Sequence, residues 1–412
     1  MSFDSAYTWW QARGGETADI TPPVFIFLWR ACDALLQGPG LVFLLHLVLF
    51  WSGLALLADA LPVRRVRSLA LMLMVALTPV TWLLRGHVWT DVGLLSSLLF
   101  VTAALAQAQA TQRRRWIAIA LPPLLYAGAV RHNALPALLP FALWIGWLLA
   151  RHRSRTHTVL IGLVVLVASA ACTAFINAQV QRRIPLWPAA AEWDLAALSV
   201  ASGEMLLPPF MIGPGLTVDE LAGAFRYWSN VPMLQNTQHG MRDPFMREYT
   251  PQEKRELRDA WLGAIAAYPR AWLAQHRKQA VALLDVHDAD WPHELIYVDD
   301  EIQYRDNPPV ARNQTVLHRG LMYAAHRLST TRLLAGWPYL LLGLIAIPAA
   351  WRRRGELAGS LALIALASAW LYLMAMILFV AAELRYLGWP CVASVLALAV
   401  MLWVRRGEER RA

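Results

Sequence analysis

The chain is 412 residues long, 58% hydrophobic and only 16% charged, with a mean hydropathy of +0.40; this excludes a soluble globule and predicts an integral membrane protein. The net charge of +9 does not describe a groove for nucleic acid. It comes mainly from five short clusters, Arg64 to Arg67, Arg113 to Arg115, Arg151 to Arg155, Arg352 to Arg354 and Arg405 to Arg411, each beside an apolar run, which is the pattern of cytoplasmic loops.

Residues 1–39 precede the first apolar span. Asp4 opens an aromatic helix carrying Tyr7, Trp9 and Trp10, the Gly14-Gly15 pair breaks it, and Asp19 follows just before Thr21-Pro22-Pro23, where proline suits the start of a second helix. That helix, about 24–36, is apolar on most faces with Arg30 and Asp33 as its charges. At about 13 residues it is too short to cross a bilayer, so it is expected to lie along the interface.

Spans are predicted at about 40–61, 68–86, 89–110, 116–131, 134–150, 158–177, 333–350, 357–380 and 387–404. Nine crossings put every arginine cluster on one side, the C-terminus in the cytoplasm and the N-terminus outside. An N-terminus that must be translocated calls for a preceding span, so a tenth is expected upstream of Met1. Cys32, Cys172 and Cys391 all lie in apolar segments and imply no disulfide framework.

Residues 178–332 form one large hydrophilic insertion on the outer side, long enough for a domain. Thr217-x-x-Glu220 and Thr250-Pro251-x-Glu253 read as capping boxes, with helices expected at 251–267 and 269–284. An acidic, His-bearing run at 285–301 matches no metal spacing and reads as a solvated loop. The expected fold is therefore an all-α polytopic membrane protein with about nine transmembrane helices and a mainly helical periplasmic domain. It divides into an external loop (1–39), six spans (40–177), the periplasmic domain (178–332), and three spans with a basic tail (333–412).

Charge within the spans is nearly absent; His46 is the one candidate, and it reads equally as a hydrogen-bonded core histidine. Ion-coupled carriers place ionisable residues or broken helices near the midplane, so the pattern favours another class. Polar residues gather instead at the outer ends of spans: His87, Trp89, Thr90 and Asp91; Arg131, His132 and Asn133; Glu383, Arg385 and Tyr386. Together with Asp4 and Asp19 they can converge on one outward-facing pocket. Acids beside arginines suit transfer chemistry, in which a carboxylate takes a proton from an acceptor hydroxyl and guanidinium groups hold a leaving phosphate. Plainer roles compete: Asp91 as complement to a helix dipole, Arg385 as an interfacial anchor or the partner of Glu383, Asp4 as a helix cap. Most of the twenty tryptophans fit aromatic belts; Trp9, Trp10 and Trp89 are the ones placed to face a substrate.

The order of acid, aromatic helix, second acid, Pro-Pro and amphipathic helix resembles the first external loop of the GT-C glycosyltransferases, such as protein O-mannosyltransferases and the aminoarabinose transferase of lipid A. Asp4 corresponds to their first-loop acid, and Asp19-Ile20-Thr21-Pro22-Pro23 is similar to their Asp-x-His-Pro-Pro segment, with Thr21 in place of His. Trp89-Thr90-Asp91 resembles a second external acid at the start of a span, and Arg385-Tyr386-Leu387 with Pro390 resembles an Arg-Tyr-Leu-x-x-Pro run opening a late span. Asp4 is followed by Ser5 where many relatives carry a second acid.

The resemblance implies an inverting glycosyltransferase of a bacterial inner membrane, moving a sugar from a polyprenyl-phosphate donor to a lipid, glycan or protein acceptor on the periplasmic face. Asp4 would be the base, Arg385 and Arg131 the phosphate clamps, and Asp91 and Asp19 supports for the pocket or for a divalent metal. Glu383, Tyr386, Trp9, Trp10 and Trp89 would complete the substrate-binding set. Hydrogen-bond reach plus one sugar ring puts the Asp4 carboxylate and the Arg385 guanidinium roughly 6–14 Å apart. Two other readings stand beside this one: an O-antigen ligase or polymerase, and a transporter or flippase for lipid-linked sugars, which would need a polar path through the membrane.

Overall fold

The computed structural model describes residues 2–63, 65–151, 153–237, 239–245, 247–285, 304–309 and 315–404. Among them every regular element is helical, and backbone pairing outside helices is limited to three isolated bridges. The N-terminal pair is α1 (Phe3–Ala12) and α2 (Pro23–Leu35). Next come α3 (Gly40–Ala60), α4 (Arg65–Ala76), α5 (Pro79–Leu84), α6 (Thr90–Thr111), α7 (Arg115–Ala129), α8 (Leu135–Leu149) and α9 (Arg155–Asn177). The insertion contains α10 (Trp187–Ser202), α11 (Val218–Ala224), α12 (Val231–Gln235), α13 (Pro251–Ala267), α14 (Pro269–Leu283) and α15 (Val316–Ser329). The chain then runs through α16 (Gly336–Arg352), α17 (Leu357–Phe379) and α18 (Gly388–Trp403).

Among the described residues five helical segments are long and apolar enough to cross a membrane: α3, α6, α9, α17 and Leu384–Trp403, a 3-10 turn running into α18. The remaining predicted spans are helical but shorter, at 15 residues in α7 and α8 and 17 in α16. The segment expected at 68–86 is not one helix. Pro79 has no N–H to continue the ladder and forces Thr78 into an extended conformation with ψ 127°, so α4 stops and α5 starts anew. Arg85 fills the break, donating from Nε to the Thr81 carbonyl (3.2 Å) and from Nη2 to the Ala76 carbonyl (2.5 Å), with its guanidinium 4.4 Å from the Phe50 ring.

Burial ranks the helices. In α6, 94% of the apolar window is buried against α3, α7, α8, α17 and α18, whereas in α9 only 11% is. The outward face of α9 displays Leu160, Val164 and Phe175, as a helix wrapped in lipid would. It meets α8 backbone to backbone: a Cβ added at Gly146 would stand 2.2 Å from the Thr158 carbonyl oxygen, so only glycine permits the crossing.

The insertion has its own core, with Leu195, Leu198, Met211, Leu221, Met233 and Leu257 at its centre. The capping box at Thr250 and Glu253 forms as expected. At Thr217 only half of one forms: the Glu220 N–H donates to Thr217 Oγ1 (3.2 Å), but the Glu220 carboxylate turns to His239, accepting its backbone N–H at 2.9 Å and meeting Nδ1 at 2.6 Å. The acidic run from residue 286 onward and the basic cluster at 405–411 lie outside the described residues.

One junction ties this domain to the membrane helices. His276 of α14 places Nδ1 3.1 Å from the Ile377 carbonyl oxygen, Gln279 donates to the Val380 carbonyl, and the Ala382 N–H donates to the Trp228 carbonyl (3.0 Å). His276 is itself fixed by Asp194 (3.2 Å), whose other oxygen accepts from the indoles of Trp261 and Trp272, both at 2.9 Å. Burial works against charge on His276, yet the adjacent Asp194 carboxylate prevails and raises its pKa. Segment 377–382, the strap leading to Arg385, is thus held at three points by the insertion.

Candidate functional site

The site is assembled from four separate stretches of chain, and α1 has to be docked before it can exist. Ser2 caps α1, accepting the Ser5 N–H (3.3 Å), and the Trp89 indole donates to the same hydroxyl (2.5 Å). Ser5 Oγ donates to the Val88 carbonyl at 2.8 Å. On the other flank Asn307 donates to the Ala6 carbonyl (2.7 Å), and at the C-terminal end Arg30 of α2 caps the Ala12 and Gln11 carbonyls (3.0 and 3.1 Å). Both charges of α2 thereby acquire structural roles, since Asp33 accepts the Trp9 indole N–H and the Gly38 N–H, each at 2.7 Å.

With α1 so placed, Asp4 in its first turn meets Arg385 directly, through Oδ2 and Nη1, across 381 positions of sequence. The expected separation of roughly 6–14 Å is therefore corrected to contact. A carboxylate and a guanidinium at a partly desolvated mouth form a charge-assisted hydrogen bond instead of standing a ring's width apart. The Arg385 Nε lies 2.5 Å from Glu383 Oε2, at ion-pair distance though out of line for a hydrogen bond, and 4.0 Å from Asp91 Oδ2. Arg131, from the turn between α7 and α8, reaches the same Asp91 oxygen at 3.4 Å.

The Tyr386 ring lies between the two cations, its centroid 4.8 Å from the Arg131 guanidinium carbon and 5.3 Å from that of Arg385, and Trp89 borders Arg385 at 5.6 Å. The set grades from inside to outside: the Asp91 side chain is 2% exposed, Arg131 14%, Arg385 18% and Asp4 56%. Asp91 is the buried foundation, with one oxygen lacking any partner among the described residues, while Asp4 sits at the rim where an incoming group can touch it.

Electrostatics separates the two outer acids. Burial alone would push the Asp4 carboxyl up, but the charge of Arg385 and its hydrogen bond, aided by Arg131, outweigh this and hold it below the usual value. For Glu383 burial wins over Arg385, with Asp4 and Asp91 adding repulsion, and its pKa rises. The same guanidinium thus favours the charged form of Asp4 more effectively than that of Glu383.

The remaining predicted residues lie elsewhere or are otherwise engaged. The Asp19 carboxylate accepts the Ile184 N–H (2.5 Å) while its own N–H donates to the Arg182 carbonyl (3.3 Å), which ties the first loop to the start of the insertion. Its connection to the site is through His132, next to Arg131, which lies against the Asp19 and Ile20 backbone; burial lowers His132 to about 4, leaving it neutral at pH 7. Trp9 is a correction. Its ring is 2% exposed and its N–H belongs to Asp33, so no face remains for a sugar. Trp10 carries the Arg305 guanidinium 4.1 Å from its ring, packs edge-on to Tyr304 and lies against Gly15. Trp89 is stacked on His87 at 4.1 Å. His46 meets Tyr126 at 2.9 Å and behaves as a core histidine.

No group of three His, Cys, Asp or Glu side chains among the described residues could hold a metal ion. Among these residues Asp4, Glu383 and Asp91 surround a guanidinium instead. Sequence reasoning missed Ser2, Ser5, Asn307 and the Asp194–His276 pair. Only Asp194 carried a visible signal, as one of two acids, with Glu192, in the apolar run of α10. No family model, curated protein or solved structure matches this chain.

Proposed function

We propose that the protein is an inverting glycosyltransferase that takes a sugar from a polyprenyl-phosphate donor at the outer face of a bacterial inner membrane. In this reading nine helical segments cross the bilayer and the 178–332 domain lies in the periplasm. The observation that carries the proposal is the convergence of Asp4, Glu383, Arg385, Asp91 and Arg131 at the outer ends of α6 and α18, where a lipid-borne phosphate can enter sideways and an acceptor can enter from water.

The acceptor oxygen attacks the anomeric carbon, the bond from that carbon to the phosphate oxygen breaks with its electron pair going to the phosphate, and the hydroxyl proton passes to Asp4. Arg385, backed by Arg131, holds the departing phosphate. The Asp4–Arg385 contact gives this sequence an order. A phosphate that draws the guanidinium onto itself removes the influence that depresses the Asp4 carboxyl, so the base strengthens when the donor arrives.

The test is incubation of the purified protein, in lipid nanodiscs, with labelled polyprenyl-phosphate sugar, while a parallel vesicle assay follows movement of the same lipid between leaflets. Release of polyprenyl phosphate supports the proposal. Lipid movement without release would make the protein a flippase.

A further inference from the structure

On the outer domain, α10, α14 and the 225–228 turn enclose a groove of about 740 Å³, within the range of roughly 300–1,000 Å³ typical of small-molecule sites. The space exists because the facing helix positions are small: Ala197 and Ala201 on α10, Ala271 and Ala274 on α14. Opposite them stand Tyr227 and Trp228, rings at right angles with centroids 4.7 Å apart. Gln275, Arg226 and Lys278 supply the side-chain hydrogen-bond donors.

The charges are of one sign. Both ionisable side chains bearing full charge in the lining are cations and no acid lines the groove. Neither cation has an ion-pair partner among the described residues. Arg226 is held in place by donating Nη1 to the Gly223 and Phe225 carbonyls (2.9 and 2.7 Å), which leaves its charge uncompensated among the described residues, and Lys278 lies 6.0 Å from the Tyr227 ring. Aromatic faces with convergent donors suit the alternating apolar faces and hydroxyls of a sugar, and two uncompensated cations suit a carboxylate or phosphate upon it.

The groove is also joined to the candidate active site. The Trp228 carbonyl holds the Ala382 N–H, and Gln275, which donates to the Tyr227 carbonyl at 3.4 Å, lies one residue before His276 in the clasp on the strap. Arg385 is three residues beyond Ala382, at most about 11 Å along the backbone. We infer that this groove is the acceptor subsite and that it takes an anionic saccharide, an inference that rests on the transferase reading above and names the substrate class for it.

Binding can be measured without turnover, which separates failure of the subsite from failure of that reading. The full chain in phosphatidylcholine nanodiscs is titrated calorimetrically with oligogalacturonate, with a neutral dextran oligomer, and with glycerol 1-phosphate as a lipid-headgroup probe. The inference expects saturable binding of oligogalacturonate at least tenfold tighter than of dextran. Lys278→Glu should weaken it at least tenfold, Lys278→Arg should retain it, and Ala274→Trp, which fills the groove, should abolish it. No preference over dextran, unchanged binding in Lys278→Glu, or a preference for glycerol 1-phosphate would each overturn the inference.

Discussion

Replacing Arg385 by lysine keeps the charge and removes the shape, which makes it the most informative change in the cluster. The guanidinium bonds Asp4 through Nη1, pairs with Glu383 through Nε at 2.5 Å, approaches Asp91 at 4.0 Å, and lies near the rings of Trp89 and Tyr386. A lysine ammonium is a single point donor on a flexible stem; it can serve one of these acids but cannot span them or lie flat against a ring. On a donor phosphate, the change from a bidentate fork to one contact removes at least one charge-assisted hydrogen bond, about 1.5–3 kcal/mol, or about 10- to 150-fold in affinity. The expected result is therefore a donor KM raised by one to two orders of magnitude with kcat reduced much less, measured with purified enzyme at saturating acceptor. Thermal stability should change little, because Asp91 keeps Arg131 at 3.4 Å. A donor KM within twofold of wild type would show that Arg385 does not hold the phosphate.

Two further outcomes are expected. Glu192 is fully buried with both oxygens unpartnered among the described residues, and burial, with Asp243 adding repulsion, raises its pKa well above 4.5. The unfolded chain thus loses this proton first, and stability should fall by about 1.4 kcal/mol per pH unit as pH rises between the two pKa values; Glu192→Gln should flatten melting temperature against pH from 5 to 8 and be the more stable protein at pH 8, and parallel curves would refute this. Trp9→Phe removes the indole N–H that holds Asp33 and leaves a void where the larger ring packed, so the melting temperature should drop while the donor KM of the folded fraction stays within twofold; a large KM change with unaltered melting would return Trp9 to the substrate.

The helices were legible because lipid-facing and core-facing runs are both apolar, and α3, α6, α8 and α17 begin and end within two residues of the expected bounds. The break at Thr78-Pro79 was hidden inside such a run: hydropathy does not register a missing N–H. The site was legible through sidedness. Asp91, Arg131 and Arg385 were grouped because each falls at the outer end of a predicted span, and Asp4 joined them from the loop expected on the same side; the four are in mutual contact. Their distances were not legible, since a derivation from the width of a substrate ignores the attraction of the groups for one another. Trp9 was misplaced because its partner, Asp33, sits 24 residues away on another helix, and the clasp of α14 on the strap joins residues 101 positions apart. Neither follows from any local pattern.

The account stands or falls on Asp4. The direct measurement is the transfer rate of Asp4→Asn alongside its equilibrium binding of polyprenyl-phosphate sugar, both on purified protein. Loss of the carboxylate removes the proton acceptor, while Arg385 keeps Glu383 beside it, so transfer should fall by about 10²-fold or more with donor affinity nearly unchanged. Transfer at the wild-type rate in Asp4→Asn would contradict the account.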